Sequence, residues 1–340
     1  MKKDQAVRYA WIDYAKVISI CLVISYHIPP RADGFWADAI QMLRMPAFFL
    51  IAGHLFHIDK FTTLWSFIKH RSIQLLIPYA SFFLLFYALW LSVGRMMVGG
   101  DELEISIWLP LREFVLGTPQ IVVAPYWFIC CLFVIQIVYY LCARHIPPRW
   151  LVVVVLLAPY IPCLYDFGSC PWQLGAAFSY LPFYALANIC KSHIQRLSFR
   201  HLPLCLIALG AALACVYGYG KCSNLWVQST LYTLGGLLMM PLYILLCKQI
   251  PDASPGNKLA AFIGRNTIII LALQNYIIGF ILLLAEKYYE WPLLPSAFVT
   301  NVCVTMAVLL ISIVPILIIN RYLPFIIGRG RCFEKRQKMT

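Results

Sequence analysis

Trp11–Pro30, WIDYAKVISICLVISYHIPP, is an apolar run long enough to cross a bilayer, yet it carries Asp13, Lys16 and His27. A helix advances about 1.5 Å and turns about 100° per residue, so Lys16 and His27, eleven positions apart, fall on one face with about 16 Å between them along the axis. A charge near the bilayer centre costs about 2.5–3.5 kcal/mol on insertion scales, so such groups usually face protein or an aqueous cavity. One helical face is therefore expected to offer a cation at one depth and an imidazole at another. Pro29 and Pro30 should end the helix, because neither can donate a backbone hydrogen bond.

Working outward, the whole chain has this character. Of 340 residues, 62% are hydrophobic and 12% charged, against about 25% charged in a water-soluble domain. The expected fold class is all-α: a polytopic membrane protein. The first apolar run lacks a small-residue cleavage site and reads as a retained helix. The net charge of +13 does not signal nucleic acid, because the basic residues sit in short loops between apolar segments. The tail RGRCFEKRQK resembles a nucleic-acid patch, but beside a membrane it more often meets anionic headgroups. The 13 Cys lie mostly in apolar segments without CxxC spacing and read as small buried hydrophobes.

About ten spans are expected, near 10–28, 37–57, 73–93, 121–142, 150–165, 176–190, 202–218, 229–247, 267–285 and 297–319, forming one membrane domain over 1–340. Of the 27 Lys and Arg, 20 fall in the termini and in the loops near 58–72, 143–149, 191–201 and 248–266, whereas only Arg31, Arg95, Arg112, Lys221 and Lys287 fall in the alternate loops. That alternation places both termini in the cytoplasm. The connector Gly94–Gln120 holds an amphipathic piece near Ile105–Leu116, which is either a lid along the outer surface or a plain solvated loop.

Several side chains could carry chemistry. His27 is either an interfacial structural histidine or a general base, since free imidazole titrates near pH 6.5. Lys16 either snorkels or pairs with Asp13 at i,i+3, or it binds an anion such as a nucleotide phosphate. Arg44, which keeps its charge when buried, is followed by the helix-kinking Pro46 and by Ala52 and Gly53, small enough to let helices approach closely. Tyr126 and Trp127 fit an aromatic belt at the outer interface. Asn266, Gln274 and Asn275 could join helix to helix or bind a hydroxylated ligand. His54 and His57 alone make a poor metal site, and no metal is expected. No GxGxxG, Walker A, HExxH or GxSxG element occurs.

Four segments, in order, resemble the acyltransferase-3 family of multi-pass membrane acyltransferases, with the fucose 4-O-acetylase-like proteins as the nearest branch. WIDYAKVISICLVISYH is similar to the family's opening signature of a basic residue, ten residues and a His. RMPAFFLIAG resembles HMPLFFFLSG, RSIQLLIPY resembles RxxRLLIPY, and PYWFI resembles PLWFL. The resemblance implies transfer of an acyl group, commonly acetyl from acetyl-CoA, to a carbohydrate hydroxyl. It assigns His27 to the essential His, Lys16 to its basic partner and Arg71 to the first Arg of the loop motif, with Lys16 and Arg71 as donor contacts. Three positions depart: Arg44 replaces a His, Gln74 replaces the second Arg of RxxR, and Gln274 stands where relatives often have His.

The expectation is thus a membrane O-acyltransferase of the bacterial cytoplasmic membrane, without a bound cofactor. Acetyl-CoA would be the donor and a cell-surface or lipid-linked carbohydrate the acceptor. The expected surroundings are membrane lipid and proteins of glycan assembly, with no nucleic acid. The rival is a glycan or lipid transporter or flippase, which would also need ionisable groups in the membrane. Such folds often carry repeats and paired broken helices, and neither is evident.

Overall fold

A computed structural model describes residues 9–30, 33–94, 105–165, 167, 170–250, 254–288 and 297–329. Part of the basic bias, in residues 1–8 and the tail from 330, lies outside them, as do Arg31 and Arg95 of the alternate loops and Asp101, Glu102 and Glu104. The described chain is helical, with no strand among its residues. In order the main helices are α1 Ala10–His27, α2 Gly34–His54, α3 Leu64–Arg71, α4 Ile77–Leu89, α5 Trp108–Leu116, α6 Trp127–His145, α7 Pro148–Leu157, α8 Leu174–Ile189, α9 Lys191–Arg196, α10 Leu202–Lys221, α11 Leu225–Lys248, α12 Asn257–Arg265, α13 Thr267–Tyr288 and α14 Ala297–Tyr322.

Seven stretches among the described residues are long and apolar enough to span a membrane: Gly34–His54, Leu64–Ser92, Ala124–His145, Phe199–Lys221, Leu225–Lys248, Thr267–Ala285 and Ala297–Tyr322. The other three expected spans correspond to α1, to the shorter apolar stretch Pro148–Leu164 and to the 16-residue α8. α1 has the length, 18 residues, but Asp13, Lys16 and His27 dilute its hydropathy.

The helices group into two compact units. The first takes residues 1–55, 183–267 and 281–306, and the second takes 56–182, 268–280 and 307–340.

The first unit is built around α1, α2, α10 and α11, whose Ile12, Ala15, Met42, Ala47, Val216 and Met240 share one buried cluster. Pro46 lies inside α2 and cannot donate to the Met42 carbonyl. Gly236 of α11 packs against that oxygen, where an added Cβ would sit 3.0 Å away. Gly53 is pressed so closely on the Tyr184 main chain that any Cβ would run into its carbonyl oxygen. The Gly53 carbonyl also accepts from Asn188 Nδ2 at 2.9 Å. Lys248 caps α9 by donating to the carbonyls of Ile194, Gln195 and Leu197 at 2.7, 2.8 and 2.9 Å. That covers helix-end acceptors that would otherwise lack donors.

In the second unit, α3 and α4 belong to one 29-residue stretch, Leu64–Ser92, interrupted by π-helical turns at Ser72–Leu76 and Trp90–Gly94. The piece near Ile105–Leu116 is not a plain solvated loop: from Trp108 to Leu116 it forms α5, which packs on α4 and leaves Trp108 and Val115 exposed. Tyr87 Oη donates to the Ile107 carbonyl and Tyr79 Oη to the Phe114 carbonyl, each at 2.8 Å. The Phe114 ring stacks on Tyr79 and Phe83, with centroids 4.9 and 4.3 Å apart. α5 therefore runs back along α4, towards the middle of the Leu64–Ser92 stretch. Gly117 ends it in the left-handed region at φ 68°, and the Glu113 carboxylate accepts from the backbone N–H groups of Gln120 and Ile121. Tyr126 is consequently no interfacial belt residue. It is fully buried, its ring 6.2 Å from that of Tyr79, and it donates to the Ile268 carbonyl at 3.2 Å.

Candidate functional site

α1 is one uninterrupted helix, so Lys16 and His27 do share a face about 16 Å apart along the axis. Between them on that stripe lie Ile20 and Val23, 0% and 6% exposed, whereas Ile18, on the opposite side, is 38% exposed. The stripe thus faces protein, and Lys16 and His27 stand half-buried at its two ends. The rotation of α1 is pinned by a buried hydroxyl pair. Tyr243 of α11 donates to the Ala15 carbonyl at 2.5 Å, and its oxygen lies 2.8 Å from Ser19 Oγ. These bonds flank Lys16 on both sides in sequence. Placing a side chain by its neighbours' hydrogen bonds is how a site is preorganised.

At the far end, the helix stops at His27, and the Ile28 N–H bonds the Ser25 carbonyl. Asn301 Nδ2 donates to the same carbonyl at 2.9 Å. The Tyr26 ring meets the His27 ring edge-on, with centroids 5.4 Å apart. Arg44, buried in α2 at 7% exposure, lays its guanidinium 3.7 Å from the Tyr26 ring centroid. A cation over a tyrosine face contributes about 0.5–2 kcal/mol, depending on desolvation. Arg44 is thus brought within one residue of His27 through Tyr26, a residue that the sequence reading passed over. The signal for it was its position beside the one histidine at that end of the span.

Asp13 is buried where α12 meets α1. A Cβ added at Gly264 would lie 3.2 Å from Asp13 Oδ1, so glycine permits that approach. Asn266, just after α12, turns its amide back to the Phe262 carbonyl at 2.8 Å, which gives it a local structural role. His54 meets the Trp11 ring edge-on at 5.2 Å.

The remaining candidates belong to the second unit. Arg71, at the entry to the first π-turn, donates from Nη1 to Gln74 Oε1 at 2.9 Å. Its guanidinium also sits 5.6–5.7 Å from the ring centroids of Phe56, Phe61 and Phe67. Phe67 stacks in turn on Tyr140 at 4.6 Å. π-turns occur often at functional sites, and this one carries the Arg71–Gln74 pair on its surface. Trp127 is half-buried and meets the Tyr180 ring at 6.2 Å. Gln274 is fully buried, and among the described residues neither its amide nitrogen nor its amide oxygen has a hydrogen-bond partner. A buried amide left so costs about 1–3 kcal/mol per group. Among the described residues no three His, Cys, Asp or Glu side chains cluster to hold a metal.

Apolar helices of spanning length, with ionisable groups held on their protein-facing sides, define a multi-pass membrane protein with a polar interior. Residues 9–321 match the acyltransferase domain family, acyltransferase-3, so this chain belongs to that family and is a membrane acyltransferase. No curated protein and no solved structure gives a significant match.

Proposed function

We propose that the protein is an O-acetyltransferase of the fucose 4-O-acetylase-like branch. It moves acetyl from acetyl-CoA to a hydroxyl of a cell-surface or lipid-linked carbohydrate in the bacterial cytoplasmic membrane, with ten spans and both termini cytoplasmic. The observation that carries this reading is the protein-facing stripe of α1, with Lys16 at one end and His27 at the other. His27 takes the proton of the acceptor hydroxyl as its oxygen attacks the thioester carbonyl. The tetrahedral adduct then expels the CoA sulfur, which receives that proton. The products are the acetyl ester and free CoA. Lys16 and Arg71 are the donor contacts. The roughly 16 Å along α1 suits an extended pantetheine arm reaching from phosphates near Lys16 to a thioester near His27. Gln274, offering one donor group and one acceptor group, complements a ligand hydroxyl.

The purified protein, incubated with radiolabelled acetyl-CoA and candidate glycans, should yield labelled glycan. Substrate movement across proteoliposomes without labelling would replace the enzyme reading with a transporter. Reporter fusions after Arg200 and at the C-terminus should score cytoplasmic, and a fusion near Lys221 should score external. A C-terminus found outside would overturn the ten-span topology.

A further inference from the structure

We propose that Tyr26 and Arg44 are positioning residues for the reaction: they set the His27 imidazole for proton transfer, through a stack that runs from α2 to the end of α1. The inference rests on the reading of His27 as the base, and every group in it belongs to the first unit. Successive side chains leave a helix about 100° apart, so neighbours in sequence do not ordinarily face each other. Tyr26 and His27 nevertheless meet, with ring centroids 5.4 Å apart and planes at 80°. That is the edge-on arrangement which the charge distribution of aromatic rings favours. Tyr26 is 40% exposed, too open for close packing alone to fix its ring, and α2 supplies a restraint. Arg44, 7% exposed, brings its guanidinium carbon to 3.7 Å from the Tyr26 centroid.

A guanidinium keeps its charge when buried and stacks on aromatic faces. Arg44 therefore lays a permanent cation on the ring that touches His27, at the position where the related segment has a His. The contact works through charge and ring face, whatever the guanidinium N–H groups bond. The main chain beneath the two rings is tied to a different helix. The Ser25 carbonyl accepts from Asn301 Nδ2 of α14 at 2.9 Å and from the Ile28 N–H at 3.4 Å. Backbone and ring are thus anchored separately, to α14 and to α2. A general base must lie within hydrogen-bond reach of the proton that it takes, and a displacement of about 1 Å can cost about 10²-fold in rate. An imidazole free to swing spends part of its time out of reach, and the Arg44–Tyr26 stack narrows that swing.

The test uses the full-length protein in neutral-lipid nanodiscs, with variants matched by amount of folded protein, and two readouts. The first is the ring carbon–proton NMR correlation of isotope-labelled histidine, with the His27 signal assigned by its loss in His27→Gln. Tyr26→Leu should move that signal to the position of an unstacked histidine, and Arg44→Gln, which leaves Tyr26 in place, should move it part of the way. Tyr26→Phe, which keeps the ring, should leave it near wild type. The second readout is the initial rate of label transfer from acetyl-CoA to the glycan that the wild type labels. Tyr26→Leu and Arg44→Gln should each lower kcat about tenfold and leave KM for acetyl-CoA within about twofold. Tyr26→Phe should keep most of the rate and Arg44→Lys part of it. Because Arg44 acts through Tyr26, the double variant Tyr26→Leu/Arg44→Gln should be no slower than the slower single one. Tyr26 is exposed enough for Tyr26→Leu to carry the test if Arg44→Gln fails to fold. An unmoved His27 signal in Tyr26→Leu overturns the proposal. So does a kcat within about twofold of wild type in that variant, a loss borne by KM instead, or single losses that multiply in the double variant. Near-normal transfer by His27→Gln fells the reading of His27 as base. Inactive His27→Gln beside unimpaired Tyr26→Leu fells the present inference alone.

Discussion

His27→Gln is expected to lower acetylated product by about 10²–10⁴-fold, the usual contribution of a positioned general base, while the protein still inserts and folds. Glutamine keeps a hydrogen-bonding side chain of similar reach but cannot take up the hydroxyl proton. The structure gives reason to expect normal folding. His27 is the last residue of α1 and half-buried, and the bonds from Ile28 and Asn301 to the Ser25 carbonyl remain available to close this end in the variant. Tyr26 remains to seat Arg44. His27→Ala should be equally inactive, and the wild-type rate should fall on the acid side as the imidazole protonates. Matched amounts of inserted protein, compared for labelled product, decide the matter. Near-normal product from His27→Gln would leave His27 a structural residue and remove the chemical centre of the proposal.

Gly53→Ala should have the largest effect on stability. The new methyl would meet the carbonyl oxygen, carbonyl carbon and Cα of Tyr184. These are main-chain atoms of a helix, so no side chain can swing aside, and α2 and α8 must part. Overpacking of this kind costs about 1–3 kcal/mol, and losing the Asn188 bond to the Gly53 carbonyl adds about 0.5–1.5 kcal/mol. Gly210→Ala is the control: its Cβ would meet nothing within 4 Å, and alanine is the better helix former by about 1 kcal/mol. Thermal unfolding in detergent should show Gly53→Ala well below wild type and Gly210→Ala at or above it. Equal midpoints for the two variants would contradict the close packing of α2 on α8.

What the sequence revealed depended on range. The extent of α1, its end before Pro29 and the shared face of Lys16 and His27 all follow from local periodicity and proline chemistry. The close approach at Gly53 was readable from a small residue in an apolar run. The fold-back of α5 was not readable. It is dictated by Phe114 stacking on Tyr79 and Phe83 and by tyrosine hydroxyls finding distant carbonyls, and no spacing rule encodes such pairings. The same holds for the setting of Arg44 on Tyr26 and for Gly328, where any Cβ would run into the Ile73 carbonyl oxygen; the partners are far apart in the chain. Gln74 was visible as a departure from a pattern, but only its bond to Arg71 shows what it does.

The division of the chain has a consequence for biogenesis. The boundaries between the two units fall at 55/56, 182/183, 267/268, 280/281 and 306/307, so each unit is assembled from three separate stretches. Domains usually fold from the N-terminus as synthesis proceeds. Here α1 and α2 leave the ribosome early, yet their unit lacks its last stretch until residue 306 has been made. The other unit waits for the C-terminal stretch that brings Gly328 to Ile73. α1 meets α2 early, but the Tyr243 bonds that pin its rotation wait for α11. A nascent chain stalled before α14 would hold two unfinished units and no finished one, which makes the last helix the step that commits both.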